Sequence, residues 1–529
     1  MATVLARDQK YLDVSESEIH VDSVPPLGAP VTEKTHLFQR GKGFDADAIA
    51  TQASVFDDPK TAEQYQPRSD WENLSRFDPL ARWTWGEEKQ LVRKVDIKIM
   101  IWACTMFMAL ELDRANISQA LTDNLLGDLG LTTNDFNLGN TVFKLSFLCA
   151  ELPSQLVSKW MGPDRWIPTQ MCLWSIVAAA QFWLSGRESF LACRALLGIL
   201  QGGFIPDVIL YLSYFYKHHE LSIRLGFFWT MMSVADIISA LLAAALLEMR
   251  GINGHAGWRW LFLIEGLITL IFGLLAYGLM PPGPIQTANW FRGKTGWFTE
   301  REEVIMVNRI IREDPTKSTM HNRQPITFKL LFQSLSDYDL WPLYLLGLTF
   351  QIPATPEGQY LTLSLKGLGF NTLQSNLLSI PYTVFHIITM LILTYTAEYA
   401  KNLTLMGIIG QIWILPCLIW FNVANTQTAS RWTVYAVTTV LLSYPNAGGI
   451  IASNIYRKDD APKYHRGNRQ LLAILIMNLV LYVLVKVYYI LRNKSRDKKW
   501  NAMTESERLE YLDTTKDEGN RRLDFRFAH

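Results

Sequence analysis

The chain has few cysteines and little net charge, and both features limit the classes of protein to which it can belong. Its 529 residues include five cysteines, and all of them fall in long apolar stretches. This placement favours packing over a disulfide framework or a metal site. With 50 basic and 49 acidic residues the formal charge is +1, which gives no electrostatic reason to bind nucleic acid. No phosphate loop, nucleophile motif or metal cluster occurs, so the sequence predicts neither an enzyme nor a cofactor.

The first 70 residues also lack the apolar core of a signal peptide, so we expect the first apolar segment to direct insertion. Residues 1–80 are polar and show no sustained hydrophobic period, which predicts a disordered cytosolic tail. Thr84 and Glu87 have the spacing of a capping box and predict that a helix begins there.

Long apolar segments dominate the remainder of the chain. Hydrophobic residues make up 49% of the full sequence, and they occur in blocks of about 20, the length that crosses a bilayer. The sequence therefore predicts an all-α membrane protein that crosses the bilayer many times. Eleven such blocks are recognised, at 97–117, 137–159, 166–184, 189–214, 224–248, 258–280, 338–356, 373–396, 402–422, 431–456 and 469–491.

The charges of the loops predict the orientation. The 118–135 loop has three aspartates and no Lys or Arg, whereas the gap at 281–337 is rich in Arg and Lys, so the former is expected outside and the latter in the cytosol. This gap separates two helical halves, 81–280 and 338–491, and residues 492–529 are expected to form a cytosolic tail. Within the gap, Thr299 and Glu302 predict a short capped helix through about Arg312.

The fourth block, 189–214, carries the most informative residues. Arg194 and Asp207 are charged, and Gly198, Gly202 and Gly203 would let another helix approach closely. A charged residue in hydrocarbon is costly and normally faces an aqueous cavity or a partner. Arg194 is thus a candidate to bind an anionic substrate, with snorkelling to the interface as the alternative.

Other polar residues within the apolar blocks extend this candidate site. Lys144 lies seven residues before Glu151, so the two share a helix face and either bind substrate and proton or form a structural ion pair. The candidate proton carriers are Asp113, Glu151, Asp236, Glu265 and His386. Besides the ion pair of Glu151 with Lys144, three further alternatives remain: Asp113 with Arg114 could lie at the interface, Glu265 could pair with Arg259, and His386 could be a packed core residue.

The seventh block contains Pro353 and Pro356, which predict a broken helix whose freed carbonyls must be satisfied by protein or water. Gln359 and Tyr360 follow this break and are predicted to form a polar rim of the substrate site.

The turn SKWMGPDRW at 158–166 resembles the loop motif between the second and third helices of the major facilitator superfamily. The resemblance implies that Gly162 makes the turn and that Lys159 and Arg165 form a cytosolic gate, although Ser158 stands where the motif has an acidic residue. Arg194, Gly198 and Gly202 resemble the family's buried-arginine motif. The block 224–248 lacks the Gly-Pro signature of drug antiporters, which favours uptake over export.

Within that superfamily the chain resembles the fungal anion:cation symporter branch, which includes allantoate, pantothenate, nicotinate and biotin (vitamin H) permeases. The resemblance implies two six-helix halves in the plasma membrane and proton-coupled uptake of a small organic anion. Export of an organic-acid metabolite is the alternative. The motifs that carry the resemblance to this branch are LDRANISQA at 112–120, LCAELPSQLVSKWMGPDRWIP at 148–168, GWRWLFLIEG at 257–266, GWFTEREEVIMVNRI at 296–310, YLTLSLKGLGF at 360–370 and RLDFRFAH at 522–529.

One region departs from the family pattern and shortens the second half by about one span. The family has two spans and a basic loop before a stretch resembling GGIIASNIYR at 448–457, but here only 26 residues run from Arg431 to Tyr456. Two spans and a turn need roughly 45 residues. The region could form one crossing or two re-entrant half-helices, and both alternatives predict weak or no transport, as in a sensor paralogue or a splice form.

Overall fold

The computed structural model describes residues 26–28, 45–58, 62, 65–67, 69, 71–314, 332, 335–350, 352–400, 402–424, 429–444, 465–515, 521–523 and 525–527. These residues form helices and connecting turns, with two isolated bridges and no strand among them. They belong to two compact units: residues 1–94 with 297–322, and residues 95–296 with 323–529.

Sixteen helices make up most of the described part of the chain. In chain order they are α1 Trp85–Val95, α2 Ile101–Ala120, α3 Thr133–Met161, α4 Pro163–Ala180, α5 Arg187–Gln201, α6 Phe204–Leu212, α7 His218–Leu246, α8 Gly257–Leu279, α9 Glu300–Glu313, α10 Trp341–Thr349, α11 Leu361–Gly367, α12 Ile380–Ala400, α13 Leu403–Val423, α14 Arg431–Leu442, α15 His465–Ala502 and α16 Glu505–Thr514.

The first unit joins the segment before the spans to α9 of the linker. Ile305, Met306 and Ile310 of α9 are buried, so the apolar side of this helix is covered. Asn308 Oδ1 accepts a hydrogen bond from the backbone N–H of Asp78 at 2.9 Å. Ala50, Phe56, Ala62 and Trp71 are buried, so parts of the described segment 45–80 are packed, whereas the sequence predicts a disordered tail for 1–80. Polar composition concealed this packing because α9 supplies the apolar partner from over 200 residues away in sequence.

Both capping boxes predicted from the sequence are present in this unit. The backbone N–H of Glu87 donates to Thr84 Oγ1 at 3.3 Å, and that of Glu302 donates to Thr299 Oγ1 at 3.3 Å. In return Glu87 and Glu302 accept from the backbone N–H groups of Thr84 and Thr299, at 2.9 and 2.8 Å. These bonds satisfy backbone donors that a helix start leaves open, and they fix where α1 and α9 begin.

The second unit contains the apolar helices. Six stretches of the described residues are long and apolar enough to cross a membrane: Arg187–Leu212, Ile223–Met249, Gly257–Leu279, Thr372–Leu393, Thr404–Val423 and Arg469–Ala502. In the first half, α2 packs against α7 and α8, α3 against α5, and α4 against α8. All six blocks predicted for this half correspond to helices.

The glycines of the fourth block bring α3 and α5 together. A Cβ on Gly198 would lie 2.4 Å from the carbonyl oxygen of Phe143, and one on Gly202 would lie 2.5 Å from that of Phe147. A Cβ on Gly203 would collide with Ser154. The predicted close approach of a second helix is thus confirmed, and that helix is α3.

In the second half, the seventh block is broken as its prolines predicted. It contains α10, which ends at Thr349, and the start of a one-turn helix at Thr355–Gln359; α11 follows beyond the block. The following block, a short helix at Thr372–Leu377 continued by α12, packs against α7 of the first half. α13 packs against α15.

The tenth predicted block is shorter than a span where it is described. α14 has 12 residues, about 18 Å of helix, against a hydrocarbon core of about 30 Å. Near its start Tyr435 Oη donates to the carbonyl of Leu378 at 3.1 Å, and just past its end the carbonyl of Ser443 accepts from Thr389 in the middle of α12. α14 therefore ends inside the bundle. The stretch at 448–457 lies outside the described residues.

The last apolar helix ends beside the start of α10. Arg492 and Arg496 of α15 donate to Asp339 Oδ2, at 3.0 and 3.2 Å. The basic end of α15 thus lies on the linker side, the side on which α8 ends and α10 begins. The cytosolic location of the tail at 492–529 stays a prediction.

Candidate functional site

Arg194 lies inside the helix bundle. Its residue is 6% exposed, its Nη2 donates to Asn140 Oδ1 at 3.0 Å, and its guanidinium carbon lies 4.5 Å from the centre of the Phe143 ring. Its Nε is buried without a hydrogen-bond partner, and among the described residues no carboxylate lies within ion-pair distance of it. The structure therefore favours a buried functional or packing role over snorkelling.

A second arginine, Arg114, lies near Arg194, although the sequence offers a position at the membrane interface as an alternative. Its Nη1 pairs with Glu111 at 2.6 Å and its Nε donates to Gln201 of α5 at 2.9 Å. Its guanidinium carbon lies 5.1 Å from the ring of Phe147 and 5.8 Å from that of Phe143. The sequence feature that could have indicated this position is an arginine within the helix, six residues before the end of α2, with the acid Glu111 one turn earlier.

Lys144 completes a group of three cations on α2, α3 and α5. It is close enough to Arg194 for the two charges to interact, and Arg194 interacts in the same way with Arg114. We refer to Arg114, Lys144 and Arg194 as the cation cluster. Like charges in a low-dielectric interior repel, so an anion bound among them would be stabilised strongly.

Two of the predicted proton carriers lie on the opposite side of α2. Asp113 is 2% exposed and Glu265 is fully buried, and their carboxyl groups interact electrostatically. Trp174 Nε1 donates to Asp113 Oδ2 at 3.2 Å, and Ser239 Oγ donates to Glu265 Oε1 at 3.4 Å. The proposed pairing of Glu265 with Arg259 is not observed, because Arg259 donates to the carbonyl oxygens of Phe182 and Leu184.

The other predicted carriers are dispersed. Asp236 of α7 is partly buried and interacts electrostatically with Glu111 and with Tyr382 of α12. Glu151 is partly exposed on α3. His386 is 6% exposed on α12, with Nε2 buried and lacking a hydrogen-bond partner. The structure does not bring these three residues together with one another.

The predicted rim residue Tyr360 lies where the two halves meet on the far side. It is buried, its hydroxyl donates to Asn137 of α3, and its ring centre is 6.0 Å from that of Phe136. Nearby, Lys366 Nζ donates to the carbonyl of Thr122 at 2.7 Å and Asn376 Nδ2 to its hydroxyl at 3.1 Å. These bonds hold the halves together on the far side. The adjacent Gln359 has an amide nitrogen that is buried without a partner.

The predicted gate residues lie at the turn between α3 and α4. Gly162 has φ +89°, a left-handed conformation that glycine adopts readily. Arg165 is exposed and Lys159 is half-buried, and neither forms an ion pair with another described residue. Ser158, which stands where the motif has an acid, is buried. A gating role for these residues stays a prediction.

The sequence is similar to those of known transporters. It is 43% identical to an uncharacterized transporter of Saccharomyces cerevisiae, YIL166C, over 94% of this chain and 98% of that one. It is 31% identical to a putative tartrate transporter of Agrobacterium vitis over 44% of this chain and 50% of that one.

The structure is also similar to solved transporters. The xylose transporter XylE of E. coli, in a partially occluded inward-open conformation, matches with a TM-score of 0.50 at 14% identity, over 74% of this chain and 88% of that one. A likeness at this identity concerns the fold alone. The family profile described as Major Facilitator Superfamily matches residues 103–484. Together with two halves of membrane-spanning helices, these findings show that the chain is a membrane transporter belonging to the Major Facilitator Superfamily.

Proposed function

We propose that the chain carries a small organic anion across the plasma membrane, coupled to protons and in the direction of uptake. The observation that carries this proposal is the buried Arg194, which has no carboxylate partner among the described residues and lies beside Lys144 and Arg114. An anion would relieve the repulsion within this cation cluster. Arginine also offers a planar pair of donors that fits a carboxylate.

The substrate would lie between the two halves. The cation cluster holds its carboxylate, and Gln359 and Tyr360 of the second half contact the remainder of the molecule. The putative tartrate transporter among the relatives supports a carboxylate substrate. The resemblance to the anion:cation symporter branch favours a carboxylated vitamin or a ureide, such as biotin, pantothenate, nicotinate or allantoate.

Proton coupling needs acids that load and release a proton as the cavity changes sides. Asp113, Glu151, Asp236, Glu265 and His386 are the candidates, and Lys159, Gly162 and Arg165 would form the cytosolic gate. Binding of the anion next to a proton-accepting acid would make net movement depend on the proton gradient.

The test is uptake of labelled carboxylates by auxotrophic cells that express the full chain. Uptake of at least one anion should rise as the external pH falls from about 7 to 5, because more carriers then hold a proton, and it should collapse with a protonophore. Uptake that ignores both treatments would contradict the coupling. Preloaded cells measure the opposite direction, and export without uptake would favour the alternative of an organic-acid exporter.

A second candidate function is a form that transports weakly or not at all. The observation that favours it is α14, which ends after 12 residues inside the bundle. Such a chain would bind an anion at the cation cluster without carrying it across. Binding of the labelled anion to purified protein, in the absence of uptake by cells, would distinguish this candidate.

A further inference from the structure

We propose that the groove between α10 and α15 binds one anionic phospholipid from the leaflet on the linker side. These two helices are the first and the last of the described second half, and they pack against each other. The groove has a volume of about 790 Å³, and its described lining residues are aromatic or aliphatic. A lipid site at this place does not depend on which substrate the chain carries.

The lining of the groove changes from aromatic to aliphatic along its length. Tyr338, Trp341 and Tyr488 lie at the linker-side end, where α10 begins and α15 leaves the apolar region. Leu348 and Leu481 line the other end, each seven residues from Trp341 or Tyr488, which is about 10 Å along a helix axis. Aromatic side chains favour the headgroup level of a bilayer and aliphatic ones its hydrocarbon core. The groove therefore matches the polarity of a lipid, with a headgroup end and an acyl-chain end.

The groove is open to the bilayer. Trp341 is 59% exposed, Leu345 is 48% exposed and Leu484 is 58% exposed. Exposed apolar surface of this kind marks a site that another apolar molecule covers. A concave surface contacts an acyl chain on more than one side, so it gains more van der Waals contacts than a flat helix face does. A lipid chain in the groove is therefore retained longer than its neighbours in the bilayer.

The linker-side end of the groove is basic. Asp339 accepts hydrogen bonds from both Arg492 and Arg496, and one carboxylate does not neutralise two guanidinium groups. Arg492 uses Nε and Nη2 to bond Asp339 and the hydroxyl of Tyr338, and its Nη1 donates to no described residue. Its side chain is 31% exposed. Arg492 can therefore donate to a phosphate without giving up Asp339.

Lysines extend this positive charge along α15. From Arg492 to Lys499 the helix carries five cations and one acid, Asp497, which pairs with Arg526 at 2.7 Å. The excess remains positive when the two aspartates just before α10 are counted. Lys499 is exposed and follows Arg492 by two turns on the face that continues the groove, whereas the exposed Lys494 projects to the other side of the helix.

These charges select among lipids. Basic pockets between spanning helices attract anionic headgroups, and each basic residue near the membrane surface adds to that attraction. A neutral lipid would fill the apolar part of the groove but would leave the excess of positive charge at its end unbalanced. We therefore expect an anionic phospholipid, such as phosphatidylserine, to be preferred over phosphatidylcholine.

The first experiment identifies the occupant by cross-linking. Photoreactive p-benzoylphenylalanine replaces Leu345 in the full-length chain, and the protein is irradiated in vesicles of phosphatidylcholine with a minor share of phosphatidylserine. Mass spectrometry of the protein should show lipid adducts in which phosphatidylserine is enriched about threefold or more over its share of the vesicle. The matched position is Leu343, which is 46% exposed but does not line the groove, and its adducts should follow the vesicle composition.

Three results would overturn the inference. Adducts at Leu345 that simply follow the vesicle composition would show that the groove holds ordinary bilayer lipid. A cross-link from position 345 to the linker would assign the groove to the chain itself, and one to a second copy of the chain would make it a contact between protomers.

The second experiment tests the basic end with charge reversals. In the chain that carries the photoreactive residue at position 345, Lys499→Glu should remove most of the phosphatidylserine enrichment. Lys494→Glu changes the net charge equally but on the other side of α15, so the enrichment should persist. Arg492 is left unchanged because it also holds Asp339. Equal enrichment in the two variants, whether high or low, would contradict a headgroup site at this end of the groove.

Discussion

At the scale of single residues, the structure separates charges that serve different ends. Arg194 is buried with Asn140 as its partner, whereas Arg309 of the first unit is buried against a carboxylate, Glu88, at 3.4 Å. A buried charge that is already paired holds structure, and one without a counter-ion is free to attract a ligand of opposite charge. The two arginines therefore predict different outcomes when they are replaced.

Replacing Arg194 with Gln should abolish uptake while leaving normal amounts of protein at the membrane. The loss of a charge-assisted pair in a low-dielectric site costs a few kcal/mol, roughly a hundredfold in rate. Arg194→Lys should recover little of it, because the planar pair of donors is lost. The measurement is uptake normalised to surface protein, and normal transport by Arg194→Gln would show that this arginine only packs.

Replacing Arg309 with Met should loosen the first unit instead. The change removes the cation that lies 3.4 Å from the buried carboxylate of Glu88, and the loss of one partner of a buried ion pair costs about 3–5 kcal/mol. Limited proteolysis should then cut the segment before α1 much faster. Arg301→Ala is the matched control, since Arg301 pairs with Glu87 at a half-exposed site where about 0–1 kcal/mol is at stake. Equal protection of the two variants would contradict this prediction.

At the scale of elements, close helix contacts and helix caps determine the local geometry. The approach of α3 to α5 depends on Gly198 and Gly202, because a side chain at either would meet a backbone carbonyl that cannot move aside. Gly347 of α10 has open space around it. These two situations give opposite expectations for a small added side chain.

We expect Gly202→Val to prevent accumulation of folded protein and Gly347→Ala to have little effect. The overlap at position 202 forces α3 and α5 apart and disrupts the packing that holds Arg194, at a cost of about 1–3 kcal/mol or more. Alanine at position 347 favours the helix slightly. Fluorescence-detected size-exclusion chromatography of tagged protein measures both, and a monodisperse Gly202→Val variant would refute the packing argument.

The caps of α1 and α9 predict a dependence on pH. Burial acts to raise the pKa of Glu87 and Glu302, but bonds from Arg301 and Thr84, and from Lys94 and Thr299, outweigh it and hold both pKa values below the usual 4.5. The folded unit therefore binds fewer protons than the unfolded one. Its stability is retained above the ordinary glutamate pKa and is lost as the pH falls through the lowered values.

The measurement is limited proteolysis of the purified chain with an acid-stable protease across this range. Protection of the segment before α1 should decline as the pH falls below about 4.5. Glu87→Gln and Glu302→Gln together should remove most of that dependence. Protection that stays constant down to about pH 3 would contradict the assignment of these two groups.

At the scale of the whole molecule, the described part of the second half differs from the first in the length of one helix, α14. In the first half the fifth span, α7, is a long helix that packs against α2. In the second half the last described helix before α15 is α14, which is too short to cross the bilayer. The two ends of the second half, α10 and α15, nevertheless meet on the linker side through Asp339. The start of α10 and the end of α15 therefore lie on the same side of the bundle.

We expect a tag at the C-terminus to be inaccessible in intact cells and the unaltered chain to transport weakly. Insertion of about 30 residues after α14, enough for a further span and a turn, should raise uptake, because it completes the wall of the cavity. Accessibility of the tag to an impermeant reagent tests the first part and uptake with and without the insertion tests the second. Full uptake by the unaltered chain would show that the short helix α14 is sufficient for transport.

The sequence by itself determined the class of the protein, the broken helix around Pro353 and both capping boxes. These features depend on local composition and spacing, which act within a few residues. It also selected Arg194, because a charge within an apolar block is costly wherever the block lies.

Only the tertiary structure decided which of these charges meet. Asp113 and Arg114 are neighbours in sequence, yet one faces α4 and α8 and the other faces α3 and α5. The hydrogen bond between Asp78 and Asn308 of α9 and the position of Arg492 beside Asp339 each join residues more than 150 apart in sequence. Such contacts depend on how helices pack, and packing is set by the complete set of side chains that no single segment contains.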